Sequence, residues 1–281
     1  MMTVLESIQL STEYLEKKGI ESPRINAELL LAHILNCKRL DLYLAFDKPL
    51  KENEVTQYRD FLKRRSNFEP LQYITGSVEF YGLPFKVSRD VLIPRPETEI
   101  LVETIINKLD KSAELSFLDI GTGSGIIPIS LSKHFPAASF TAIDNSKPAL
   151  EVAEENARLN NVQNITFVHS DIKDTAIETK YDVIVSNPPY VSLSEYRTLQ
   201  QEITKYEPAS AVTDHNEGFD FYKIIIERSG DILKEKGYLY FEIGKGQSEV
   251  IQELMTNNNF CELHLVRDYQ NIDRVIYGVK I

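Results

Sequence analysis

Positive charge is scarce in this chain: 31 lysines and arginines stand against 42 aspartates and glutamates, for a formal net charge of -11. A protein held on nucleic acid through phosphate contacts ordinarily presents a basic surface, so no direct nucleic-acid partner is expected. Long apolar runs are missing too, and without one the chain has no candidate membrane span. The opening stretch MMTVLESIQLSTEYLEKKGI lacks the basic and apolar regions of a secretory signal, so the expected location is the cytoplasm. Cysteine is rare. Cys37 and Cys261 lie far apart with no CxxC spacing, which predicts two reduced, mostly buried thiols. His134, His169 and His215 show no metal-ligand spacing, and no metal is expected. There is no internal repeat and no low-complexity tract.

What is present divides by texture. Residues 1–70 read as helices only. Leu5, Ile8, Leu15 and Ile20 recur at roughly helical spacing, and Ser22-Pro23 reads as an N-cap followed by proline at the first helical position. INAELLLAHIL and KENEVTQYRDFLKRRSN extend a small helical bundle. The triplet Lys63-Arg64-Arg65 reads as a solvated C-terminal helix face, where cations suit the helix dipole. Residues 71–95, rich in β-branched and aromatic side chains and broken by Gly76, Gly82 and Pro84, predict a β-hairpin linker. From residue 96 to 281, a helix is followed by alternating strands and helices. DFYKIIIERSGDILKEKG is read as one of the helices, and the last two segments as a closing pair of strands. Alternation of this kind predicts a mainly parallel sheet covered on both faces, with an antiparallel edge or insertion.

Two features of that region carry chemistry. LDIGTGSGI places Gly121, Gly123 and Gly125 between a strand and a helix, where the backbone can turn sharply and a ligand meets the positive end of the helix. The spacing is G-x-G-x-G: it lacks the third glycine of a dinucleotide loop and the Lys-Ser/Thr ending of a P-loop. About twenty residues on, Asp144 ends the next strand, where an acidic side chain can accept both hydroxyls of a ribose. The pair reads as a nucleoside site with no pyrophosphate cradle. Asp171 ends the third strand, placed either to meet an adenine amine or to serve as a helix cap or turn residue.

The second feature is DVIVSNPPYVS. Pro188 and Pro189 fix the backbone and remove donors, so the strand ends in a set of acceptors: the Asn187 amide oxygen and backbone carbonyls. Tyr190 adds a flat ring. Two acceptors can each take one N–H of a planar NH₂ group, orient it, and stabilise the positive charge that develops as it attacks a methyl group. The ring can stack on the planar target. No dedicated base is needed before attack, and most of the catalysis would come from proximity and in-line orientation.

DIGTGSG with SNPPY resembles the class I S-adenosylmethionine-dependent amino-methyltransferases. EPLQYITGSVEFYG, VLIPRPETEILVE, YEPASAV, GFDFYKIII, FEIGKGQSEVI and RDYQNIDRVIYG resemble one branch of them, the release-factor glutamine methyltransferases (PrmC/HemK), over nearly all of the chain from Glu69. The IPRPETE box discriminates most, because nucleic-acid amino-methyltransferases share NPPY without it. The resemblance implies a Rossmann-like, doubly wound class I methyltransferase domain in residues 96–281, joined by the hairpin to a small N-terminal helical bundle that recognises substrate. It implies S-adenosyl-L-methionine as methyl donor, S-adenosyl-L-homocysteine as product, and the GGQ glutamine of class I peptide-chain release factors as acceptor. It assigns the cofactor to Gly121, Thr122, Gly123, Ser124, Gly125, Asp144, Asp171, Ile172 and Asn187. Ile172 falls where relatives carry an aromatic contact to adenine. The substrate falls to Asn187, Pro188, Pro189 and Tyr190, with Asn187, Pro188 and Tyr190 as the catalytic set. Arg95 and Glu97 are candidates either for shaping the site or for a linker salt bridge and helix start. A monomer is expected. Adenine also offers a planar NH₂, so a DNA or RNA exocyclic-amine methyltransferase is one alternative and a non-catalytic cofactor-binding scaffold another.

Overall fold

Four amphipathic helices follow the N-terminus in the computed structural model of the chain, which describes residues 2–173 and 179–281. They are α1 (Val4–Lys17), α2 (Pro23–Ile34), α3 (Glu52–Arg65) and the short α4 (Leu71–Thr75). Contacts divide the chain into two compact units, Met1–Gly76 with Gln200–Tyr206, and Ser77–Leu199 with Glu207–Ile281. The smaller unit therefore takes in one segment from far along the sequence, the short helix α9 (Gln201–Tyr206).

In the smaller unit, α1 starts at a reciprocal cap: the Thr3 hydroxyl accepts from the Glu6 N–H, and the Glu6 carboxylate accepts from the Thr3 N–H. Val4, Ile8 and Leu15 then face inward and meet Leu30 and Leu31 of α2 and Tyr58 and Phe61 of α3. Pro23 opens α2 as expected, but Ser22 does not cap it. Its φ is +48° and its side chain makes no capping bond. The basic triplet also departs from the solvated face read from the sequence. Lys63 is exposed. Arg64 binds both oxygens of Glu69. Arg65 is buried and donates to Glu202 at 2.5 Å, to Asn26 and to the Glu69 carbonyl. A buried cation needs a paired charge, and this one finds it in α9. Leu71–Thr75, expected within the hairpin linker, is helical and belongs to this unit.

The larger unit begins with the antiparallel hairpin β1 (Ser77–Phe80) and β2 (Leu83–Lys86), followed by α5 (Thr98–Lys108). Strands and helices then alternate: β3 (Ser116–Ile120), α6 (Ile126–His134), β4 (Ser139–Asp144), α7 (Lys147–Leu159), β5 (Ile165–His169) and β6 (Tyr181–Ser186). After α8 (Leu193–Tyr196) come α10 (Asp220–Ile232), β7 (Leu233–Glu242), α11 (Ser248–Asn257), β8 (Phe260–Arg267) and β9 (Asp273–Lys280). The seven strands lie in the order β5-β4-β3-β6-β7-β9-β8, with β5 through β7 parallel and β9 and β8 antiparallel. This is the doubly wound α/β sheet expected from the alternation, and the closing pair forms its antiparallel edge.

The central strands alternate between two cores. Phe117, Val183, Val185 and Tyr240 pack under α5, α6 and the hairpin. Leu118, Ile184, Leu239 and Phe241 pack under α10 and α11. The helix read through DILKEKG stops at Ile232 instead. Leu233 pairs with Tyr181 and Tyr238 with Val183, so the extra residues between them leave the ladder, with Lys236 at φ +61°. Cys37 and Cys261 are free and half-buried rather than enclosed. Among the described residues, no helix is long and apolar enough to cross a membrane.

Candidate active site

Sheet register alone brings the two sequence motifs together. Ile120 at the end of β3 pairs with Ser186 at the end of β6 and with Ile143 near the end of β4. The glycine turn and Asn187 therefore leave the sheet side by side. The chain winds outward from β3 through β4 to β5, then returns to place β6 on the opposite flank. The crevice beyond the strand ends at such a reversal is where open α/β sheets hold ligands. A pocket opens there.

The turn is held by its backbone. The Gly121 and Thr122 N–H groups both donate to the Ile143 carbonyl, at 2.9 and 3.1 Å. Gly121, Gly123 and Gly125 all have positive φ, which only glycine adopts without strain. They serve two different ends. A Cβ on Gly121 or Gly123 would meet no atom within 4 Å, and both glycines line the pocket. A Cβ on Gly125 would stand 3.0 Å from Ile129 Cδ1 and 3.1 Å from Ala153 Cβ, so this glycine lets α6 and α7 approach each other.

Asp144 faces the same space. One of its oxygens accepts from the Gly123 N–H and the other from the Ser146 N–H, both at 2.8 Å. Each oxygen keeps a further lone pair, so the carboxylate is anchored and can still accept a vicinal diol. Burial raises its pKa, while the bonds to Gly123 and Ser146 favour the charged form. Asp171 lies at the pocket, where it accepts from the Lys173 N–H as a turn residue, and Ile172 is buried beside it. Among the described residues, Asp119 below the turn is buried with no hydrogen-bond partner on either oxygen, and burial, reinforced by the nearby Asp144 charge, pushes it up to about 7.

At the end of β6, Asn187, Pro188 and Pro189 line the pocket. The Asn187 amide nitrogen donates to the Thr98 hydroxyl at 3.2 Å. Tyr190 does not line the pocket. Its hydroxyl donates to Glu242 Oε1 at 3.2 Å, and its ring packs against the core under α10. The sequence suggests this ring as a stacking platform; in the structure it is a prop behind the loop. Gln247 fixes the loop further, accepting from the Gly244 N–H and donating to the Tyr190 and Gly218 carbonyls. Arg95 ion-pairs with the buried Glu207 at 2.5 Å, and the other Glu207 oxygen accepts from the Ile93 N–H. The IPRPETE and YEPASAV stretches are thus tied together by one ion pair.

Of the sequence-predicted site residues, the pocket gathers Gly121, Gly123, Asp144, Asp171, Ile172, Asn187, Pro188 and Pro189. Thr122, Ser124, Gly125 and Tyr190 stand outside its lining and support it. Sequence reasoning misses Thr98, Glu242 and Asp119. Thr98 lies in the IPRPETE box and Glu242 in FEIGKGQSEVI, but only the fold shows that one meets Asn187 and the other Tyr190. Asp119 sits in the glycine motif itself, where its alternation onto an apolar face was the available signal.

Comparison with known proteins bears on the family and the fold. Residues 6–76 match the family described as "PrmC N-terminal domain", and residues 96–209 match "Methyltransferase small domain". The chain is 42% identical to a release factor glutamine methyltransferase of Fusobacterium nucleatum, over 98% of this chain and 78% of that one. It is 36% identical to one of Geobacter sulfurreducens, over 98% and 96%. A methyltransferase from Pyrococcus furiosus shares the fold with a TM-score of 0.54 at 20% identity, over 72% of this chain and 90% of that one.

Proposed function

Because the chain belongs to the release factor glutamine methyltransferase family, we propose that it methylates the side-chain amide nitrogen (N5) of the glutamine in the GGQ motif of class I peptide-chain release factors. One observation carries the reading. A strand ending in Asn187-Pro188-Pro189 shares a single pocket with a glycine turn and an anchored carboxylate.

The pocket suits S-adenosyl-L-methionine. Gly121 and Gly123 leave open the volume that side chains would fill, and Asp144 retains acceptor capacity for a ribose. Asp171 and Ile172 line the same pocket, and Ile172 would offer an adenine apolar packing in place of an aromatic ring. When bound, S-adenosyl-L-methionine would supply an electrophilic methyl group, with S-adenosyl-L-homocysteine as the product. Asn187 Oδ1 and a backbone carbonyl of the Pro-Pro segment would each accept one N–H of the target amide and so orient its nitrogen for attack. Those bonds strengthen as positive charge develops on nitrogen, and the excess proton is lost to solvent once the nitrogen is methylated. The helical domain holds the release factor. Support for that role comes from its exposed apolar side chains, among them Leu40 (70% exposed) and Leu44 (91%). The enzyme works as a monomer in the cytoplasm.

The test is mass spectrometry of a release factor co-expressed with the enzyme. One added methyl on the GGQ peptide is expected, and an Asn187→Ala enzyme should transfer about 10²–10³-fold more slowly while still binding cofactor. Methyl label found only in nucleic acid would overturn the assignment.

A further inference from the structure

An acceptor amide works only if its oxygen, not its NH₂, faces the substrate. Asn187 is not self-orienting, since rotating its side-chain amide by half a turn exchanges the two groups at nearly equal size. Something outside the NPPY motif has to break that symmetry.

The neighbours of Asn187 supply it. Its Nδ2 lies 3.2 Å from the Thr98 hydroxyl, and Thr98 is only 1% exposed at the start of α5. A hydroxyl has one proton. Beside Thr98 stands Glu242, also 1% exposed, and Thr98 is the neighbour that most favours its charged form. Oε1 of Glu242 already accepts from Tyr190, while Oε2 is buried without a hydrogen bond among the described residues and keeps its full acceptor capacity. Above pH about 7, where it is charged, Glu242 is an acceptor only, which draws the Thr98 proton toward it and leaves the Thr98 oxygen to accept. The group it faces on Asn187 must then be the NH₂. Reversing the amide would set Asn187 Oδ1 against a hydroxyl oxygen whose proton is already committed, a repulsive contact in a buried place.

We propose, resting on the methyl-transfer reading above, that Thr98 and Glu242 are positioning residues that lock the Asn187 amide with its oxygen toward the pocket. Three separated stretches then act on one amide. RPETE supplies the acceptor, FEIG supplies the carboxylate that polarises it, and NPPY supplies the amide that is oriented. The same carboxylate holds the Tyr190 hydroxyl, so both ends of the NPPY loop report to one buried group.

The experiment is steady-state methylation of a purified release factor by wild-type, Thr98→Val, Thr98→Ser and Glu242→Gln enzymes, with S-adenosylmethionine binding measured by calorimetry. Thr98→Val keeps the shape and removes the acceptor, so kcat should fall about 10–100-fold, the effect of a misplaced reacting group. Its KM and cofactor Kd should stay within about twofold, marking loss of an interaction made in the transition state. Thr98→Ser restores the hydroxyl and should recover most of the lost rate, which a purely packing role would not predict. Glu242→Gln should fall between the two, because a neutral amide can still accept from Thr98. Wild-type kcat in Thr98→Val, or a Thr98→Ser enzyme as slow as Thr98→Val, overturns the proposal. Unchanged cofactor Kd in each variant shows that its pocket has folded. A wild-type enzyme that binds cofactor but labels no release factor would instead overturn the functional reading, and the proposal with it.

Discussion

Glu242 shows how a buried carboxylate can leave a mark on stability as well as on a loop. Burial pushes it up to about 7 from an ordinary 4.5; Thr98, Tyr190 and Arg274 favour its charge, and Glu97 opposes it. Between those two values the folded protein keeps a proton that the unfolded chain has released. The resulting stability is fully present below about 4.5 and is lost as pH rises through about 7. Asp119 acts in the same direction. Carboxylates with lowered pKa, such as Glu28 and Asp182, lose their contribution only at more acid pH, while His134, lowered by burial, opposes the trend near neutrality. The comparison that isolates Glu242 is therefore between enzymes. Urea midpoints measured from about pH 5 to 8 should fall less steeply in Glu242→Gln than in wild type. Parallel slopes would mean that Glu242 keeps its ordinary pKa in the folded state. None of this was readable from sequence, where Glu242 is one acidic residue among 42. Its burial depends on β7 lying inside the sheet.

Among elements, the glycine turn was the most legible, because its constraint is local. Positive φ at Gly121, Gly123 and Gly125 follows from a strand reversing into a helix within a few residues. What the sequence did not separate was their purpose. Gly125→Ala should destabilise the larger unit by roughly 1–3 kcal/mol, because its methyl group would press on Ile129 and Ala153. Gly121→Ala meets no such wall. It should cost mainly backbone strain, yet weaken cofactor binding by projecting a methyl into the pocket. Paired urea melts and calorimetric titrations check this, and equal stability losses with equal binding would contradict the division. The strand end at SNPPY was legible for the same local reason: two prolines stop a ladder wherever they fall. Misreadings arose where distant partners decide. Helical periodicity ran on through DILKEKG, but pairing of Leu233 with Tyr181 imposed a strand. The cation of Arg65 looked like a surface group until Glu202 came to meet it.

For the molecule as a whole, the pocket is a test of identity that needs no turnover. A ligand that binds only the folded state stabilises it by about 2.7 kcal/mol at a hundredfold excess over Kd. S-adenosylmethionine and S-adenosylhomocysteine should each raise the melting temperature of the larger unit. ATP should not, because the glycine turn lacks the lysine and hydroxyl of a triphosphate cradle. An equal rise with ATP would point to a different nucleotide.

The pairing of Arg65 with Glu202 also sets an order of events during protein synthesis. The two residues are separated by 137 positions, so at ordinary elongation speeds Arg65 is made roughly 7–27 s before its partner. In that interval the nascent helical bundle holds a guanidinium without its carboxylate. A fragment ending near Gly76 lacks the carboxylate that pairs with Arg65. The smaller unit becomes complete only with α9, after the first four strands of the sheet, β3 to β6, have been translated.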